Sequence, residues 1–125
     1  MPTSPAVLTL PRGERLRRSA EVQAVFQYGS RLERPSFVVL WRRAAGRRVG
    51  FAVSRQLRGA AQRNRLRRRV REAYRQMRGL FPGDVELVVV ARPLVASRPF
   101  PELVEDMRRL AEDLARASRV GETGA

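Results

Sequence analysis

The 125-residue chain contains no cysteine, no histidine and no lysine. Each absence removes a class of chemistry. Without cysteine there is no disulfide and no thiolate nucleophile, and with histidine also missing there is no Cys/His zinc site. Without histidine there is no imidazole acid or base, so Ser54 has nothing of that kind to activate it. Long apolar runs are missing as well. The longest, Phe37–Trp41 and Leu87–Ala91, fall far short of the ~20 residues that span a bilayer. The opening MPTSPAVLTLP has no basic stretch ahead of its short apolar run and is broken by prolines, unlike a signal peptide. No glycine-rich phosphate fingerprint occurs. Acids are scarce and scattered. Asp84 with Glu86, at a strand start, reads as a solvated turn more readily than as a metal pair. Self-contained catalysis is therefore poorly supported, and the expectation is a soluble, cytoplasmic protein with no membrane partner.

What the chain does have is arginine. All 26 basic residues are arginine against 12 acids, a net charge of +14. A charge of that size points to a polyanionic partner, and the guanidinium fork suits phosphate oxygens. Coding bias accounts for arginine over lysine; it does not account for the net charge. The charge concentrates in Arg58–Arg78, which holds nine arginines and one acid, Glu72. Leu66, Val70, Ala73, Tyr74 and Met77 form one apolar helical stripe in that segment. Asn64, Arg67, Arg68, Arg71, Arg75 and Arg78 fall within an arc of about 100° beside it. Like charges at i, i+4 disfavour an isolated helix by roughly 0.2–0.5 kcal/mol per pair, and Arg63/Arg67, Arg65/Arg69, Arg67/Arg71 and Arg71/Arg75 all carry that penalty. A solvated charged face is the plainer alternative, but such faces normally mix signs. The amide of Asn64 reads equally as a helix cap or as a contact to RNA.

The rest of the chain is read in order. Residues 1–14 form a proline-punctuated arm. Ala20, Val22, Val25 and Phe26 predict a short first helix over Ser19–Tyr28, stopped by Gly29. Phe37–Trp41 and Val49–Ser54 predict two strands joined by a turn, an antiparallel hairpin with Arg42, Arg43, Arg47 and Arg48 at its tip. Whether Leu32–Ser36 adds strand residues stays open. The arginine helix follows, then a turn at Leu80–Gly83 and a strongly apolar strand, Val85–Ala91, expected to be central. A last helix starts near Pro101, with Leu103, Met107, Leu110 and Leu114 inward. Residues 101–125 carry four arginines and six acids, so this part is not expected to face nucleic acid. One RNA-binding domain over 15–117 and a frayed tail over 118–125 complete the expectation. The order is α-β-β-(β)-α-β-α, a small mixed sheet packed with helices in a two-layer α/β (α+β) sandwich.

Phe51-Ala52-Val53-Ser54-Arg55, then Ala60, then Arg63-Asn64-Arg65-Leu66-Arg67-Arg68-Arg69-Val70-Arg71-Glu72-Ala73-Tyr74-Arg75, resembles the signature of the bacterial ribonuclease P protein component. The resemblance runs from about Leu16 to Leu114 and includes Val25-Phe26 and Gly29, Phe37-Val38-Val39 and the strand ending Val89-Val90-Ala91-Arg92. It implies the small basic subunit of a ribonucleoprotein, an endonuclease that removes the 5′ leader of precursor tRNA. Catalysis would come from the RNA subunit, with Mg2+ held chiefly by RNA and no DNA partner. It also implies a left-handed β-α-β crossover around the arginine helix, against a general rule of about 98% right-handed connections.

Carried over by position, the resemblance assigns Arg63, Asn64, Arg65, Arg67, Arg68, Arg71 and Arg75 to the basic helix that faces RNA. It places Phe26, with Val22, Leu40 and Arg55, at a cleft that takes the single-stranded leader. Phe26, otherwise read as core, thus gains a second use. Val22 and Leu40 stand where the family favours aromatics, so this cleft should stack bases less well. The glycine that the family has at the place of Arg58 stands one residue later, at Gly59. Two other readings remain. A ribosomal or other structural RNA-binding protein explains the charge but not the Arg-Asn-Arg arrangement. A DNA-binding helix protein would need a second helix at turn distance before the arginine helix.

Overall fold

Alternating apolar residues build the centre of the molecule. The computed structural model describes residues 19–54 and 59–123, with side chains from 22 to 54 and 59 to 119. The elements are α1 (Ser19–Tyr28), β1 (Ser30–Glu33), β2 (Phe37–Arg43), β3 (Arg48–Val53), α2 (Ala60–Met77), β4 (Val85–Ala91) and α3 (Phe100–Thr123), with 3-10 turns at Arg78–Leu80 and Pro93–Ala96. The N-terminal arm and Arg55 lie outside the described residues.

The sheet order is β1-β2-β4-β3. β2 runs antiparallel to β4, pairing Phe37 with Ala91 and Arg43 with Val85. β3 runs parallel to β4, pairing Val49 with Leu87 and Val53 with Ala91. The expected hairpin of β2 and β3 is therefore not formed: β4 lies between them. The physical reason is burial. Leu87, Val88 and Val89 are all fully buried, and a strand apolar on both faces gains most when neighbours flank both of its edges. A short turn looks the same in sequence whether the strands it joins pair or leave room for a third. The strand left open near residue 32 is β1, which pairs antiparallel with β2 through Arg31 with Leu40 and Glu33 with Val38.

The two faces of the sheet bury different residues. Phe37, Val39, Trp41, Val49, Leu87, Val89 and Ala91 point to one face, where they meet Leu66, Val70, Ala73 and Tyr74 of α2 and Leu103, Met107, Leu110 and Leu114 of α3. This is the expected sandwich. The α2 stripe sits in it as the periodicity predicts. Tyr74 packs edge-on to Phe51 at 5.6 Å and beside Phe81 at 4.8 Å between ring centres. On the reverse face, Val25 of α1 packs on Leu40 and Val88, with Val22, Ala52 and Val90 around them. Gly29 is needed where α1 turns into β1: a Cβ there would lie 2.4 Å from the Val25 carbonyl oxygen and 2.8 Å from that of Trp41.

α3 continues to Thr123, past the point at 118 where the sequence pattern places a frayed tail. Ser118 is buried, its main-chain oxygen accepts a hydrogen bond from Arg43, and its hydroxyl donates to the Ala115 carbonyl at 3.1 Å. The apolar stripe fades there, but the long-range hydrogen bond from Arg43 and the local one to Ala115 hold the turn. Arg42, Arg43 and Arg47, expected at a hairpin tip, are likewise engaged within the fold. Arg47 donates to the carbonyls of Arg78 and Phe81, both at 3.0 Å, closing the C-terminal end of α2. Arg42 pairs with Glu86 at 2.9 Å and Arg43 with Asp84 at 3.1 Å, which also uses the two carboxylates considered as a metal pair.

Candidate nucleic-acid interface

α2 positions the cationic side chains. It begins at Ala60 behind Gly59, whose φ of 91° is in the left-handed region that glycine enters without strain. Asn64 is therefore inside the helix and not its cap. Its Oδ1 accepts a hydrogen bond from Arg67 at 2.9 Å. Asn64, Arg67, Arg68 and Arg71 converge on one surface hollow, the solvent-facing outcome of the i, i+3, i+4, i+7 spacing. Arg75 continues the line one turn further and shares its charge with Glu72 at 2.8 Å. Arg63 and Arg65 are exposed in the first turns, and Arg65 borders a second hollow with Gln62 and Ser97. The seven arginine-helix residues singled out in sequence thus split into a group of four that face one another, Arg75 beyond them, and two at the flank.

Arg69 shows why position on the helix matters more than residue type. It donates to the carbonyls of Val95 and Arg98, both at 2.6 Å, and ties α2 to the turn before α3. α3 itself carries charges that cancel: Arg108 pairs with Glu105 and, at 2.6 Å, with Glu112, and Arg116 pairs with Asp113 at 2.5 Å. Burial would raise the carboxyl of Asp106, but hydrogen bonds from Arg98 and Ser36 outweigh it and hold the group below the usual carboxylate range. Asp113 is lowered in the same way, with Arg34 and Arg116 overcoming the effect of burial. Arg34, Arg98, Arg108 and Arg116 thus already have anionic partners within the fold.

A second depression, of about 310 Å3, opens beside α1 on the reverse face of the sheet. Phe26, Val38, Leu40 and Val90 form its apolar part, and Arg31, Ser54, Arg92 and Pro93 its rim. Phe26 is 45% exposed, far more than a core phenylalanine. Leu40 is 6% exposed and supplies floor. Val22 packs under α1 against the Val25 cluster. Sequence reading missed Arg31 and Arg92. The signal existed in the register, because Arg31 opposite Leu40 stands on the cleft face, but β1 had to be recognised as a strand first.

A four-stranded mixed sheet, a crossover helix carrying a cationic ridge and a half-apolar cleft define a small basic α+β protein suited to a polyanionic partner. The family model described as ribonuclease P matches residues 10–115. The ribonuclease P protein component of Desulfovibrio desulfuricans is 37% identical over 119 residues, 87% of this chain and 92% of that protein. That of Chloroflexus aurantiacus is 39% identical over 102 residues, 79% and 76% of the two chains. The solved ribonuclease P protein of Thermotoga maritima superposes with a TM-score of 0.71 at 31% identity, covering 80% of this chain and 96% of its own. The chain belongs to the ribonuclease P protein-component family, the protein part of an endoribonuclease holoenzyme that works with an RNA subunit in tRNA processing. None of the described helices is long and apolar enough to cross a membrane.

Proposed function

We propose that the arginine ridge of α2 binds the catalytic RNA and that the cleft beside α1 takes the 5′ leader of precursor tRNA. The observation that carries the first half is the convergence of Asn64, Arg67, Arg68 and Arg71 on one hollow. Four neighbouring side chains, three of them cationic, supply forked donors that match phosphate oxygens. The second half rests on Phe26, an exposed ring over an apolar floor with arginines at the rim. An unstacked base can lie on the ring while its phosphates meet the arginines. Arg63, Arg65 and Arg75 extend the ridge, and Arg55 is assigned to the cleft by resemblance alone.

In this reading the chain orients RNA and substrate, and the RNA subunit performs the hydrolysis. Mg2+ in the holoenzyme is held chiefly by RNA. The one acid of the ridge helix, Glu72, is engaged with Arg75, so the ridge offers cationic and amide donors to RNA. Where tRNA precursors are made and processed, in the bacterial cytoplasm, is where such a protein acts. A precursor-tRNA cleavage assay at low magnesium tests the whole reading with four arms: no additions, protein alone, a bacterial ribonuclease P RNA alone, and both together. Stimulation over RNA alone only in the combined arm is expected. Cleavage by the purified protein alone overturns it, and no stimulation by a folded, RNA-binding protein returns the structural RNA-binding alternative.

A further inference from the structure

An anion, Glu33, stands beside the rim of the cleft, within ion-pair distance of two of its arginines. β1 is one of the sheet's two edge strands, and its register sets Arg31 opposite Leu40 and Glu33 opposite Val38. Side chains two residues apart share a face, so Arg31 and Glu33 both stand on the cleft side, with Leu40 and Val38. Arg92, just beyond the end of β4, reaches the same rim. The Glu33 carboxylate meets both cations: one oxygen lies 3.3 Å from Arg31 Nε and the other 3.6 Å from an Arg92 terminal nitrogen. A carboxylate with one oxygen on each of two guanidinium groups makes the contacts that the two free oxygens of a phosphodiester would make there.

The pair is built to open. Arg31 and Glu33 side chains are 58% and 57% exposed, and ion pairs in water contribute little. Arg92 keeps a second hold when Glu33 leaves, because it also donates to the Arg34 carbonyl at 3.2 Å. Among the described residues, Phe26 is the one aromatic lining the cleft, so stacking is limited and the rim charges carry more of the binding.

Resting on the assignment of this cleft to the leader, we propose that Glu33 is an intramolecular stand-in for a leader phosphate. In the free protein it bridges Arg31 and Arg92 at the mouth of the cleft. An entering single strand of RNA displaces it, and the strand's phosphates take both arginines. Glu33 thus sets leader affinity below what the two cations alone would give, and it returns to them when the cleaved leader departs.

The test is made in the reconstituted holoenzyme, with dissociation constants measured for a precursor tRNA bearing a single-stranded leader and for the mature tRNA. Glu33→Gln is expected to tighten the precursor by about two- to five-fold, the range set by an exposed ion pair, and to leave mature tRNA unchanged. Glu112→Gln, which removes another exposed, arginine-paired acid, this one on α3, controls for the change in net charge and should move neither. The gain should shrink in an Arg31→Ala background and disappear in an Arg31→Ala, Arg92→Ala background whose fold is confirmed by thermal melts. An equal gain from Glu112→Gln, a gain that persists without both arginines, or no gain at all overturns the proposal. Phe26→Ala, run in parallel with thermal melts, separates the stand-in from the cleft assignment beneath it. If it weakens the precursor selectively while Glu33→Gln does nothing, the cleft assignment stands and the stand-in is wrong. If it weakens both RNAs equally with the fold intact, the cleft assignment fails and the stand-in falls with it.

Discussion

Phe26 separates reading residues from reading folds. Its helical spacing with Val22 and Val25 places it with the core, and only the position of the cleft explains why nearly half of its surface is open. Replacing it with alanine should weaken a leader-bearing precursor by about 1–3 kcal/mol, the range for stacking on one base, and change mature tRNA binding little; paired binding titrations check this. Arg69 makes the opposite prediction. It sits in the densest run of arginines, yet both its terminal nitrogens are used on carbonyls. Arg69→Met should lower stability by on the order of 2 kcal/mol, since hydrogen bonds to a charged group are worth about 1.5–3 kcal/mol. It should alter the salt dependence of RNA binding far less than Arg68→Ala. Denaturant melts and binding isotherms separate the two effects. The sequence alone ranks these arginines only by helical angle; their partners lie on the turn at Val95 and cannot be seen in a local pattern.

At the scale of elements, the helices were legible and the pairing of strands was not. The stripe Leu66-Val70-Ala73-Tyr74 defines the buried side of α2, and a 3.6-residue period is a local property. Strand order depends on which edge gains most from a neighbour, which is decided by residues far apart in sequence. β4 takes the central place between β2 and β3 because it is buried on both faces, and β1 was hidden because a four-residue edge strand with one half-buried side chain has no strong alternation. The turn from α1 into β1 gives a sharp prediction. Gly29→Ala places a methyl group against two carbonyl oxygens and should destabilise by about 1–3 kcal/mol, as an overpacked site does. An unchanged melting temperature would show that the backbone there relaxes freely.

The whole molecule divides its charge. Among the described residues, Arg34, Arg42, Arg43, Arg98, Arg108 and Arg116, all outside the ridge, are paired with acids of α3 and the sheet region. That division has a consequence for acid stability. Asp106 and Asp113 titrate below their ordinary value in the folded chain because Arg98 with Ser36, and Arg34 with Arg116, outweigh burial. A carboxylate with a depressed folded pKa contributes stability that is fully present above its unfolded value, about 3.9, and is lost as pH falls through the folded one. Unfolding free energy should therefore be flat through neutral pH and decline below about pH 4. Asp106→Asn should lower the plateau and shallow the decline, as seen by melts across acid pH. An unaltered slope would remove Asp106 from the account of acid stability.

The central claim is that the α2 ridge is the surface that holds the RNA subunit, and the salt dependence of that binding tests it most directly. Affinity for a ribonuclease P RNA should be measured across a range of monovalent salt for the natural chain and for an Arg67→Ala, Arg68→Ala, Arg71→Ala variant of confirmed fold. Removing one arginine–phosphate pair takes roughly 0.7–0.9 off the slope of log affinity against log salt. The account predicts a variant slope shallower by about two to three, with weakened binding throughout. An unchanged slope would contradict it and move the RNA-binding surface to another face of the molecule.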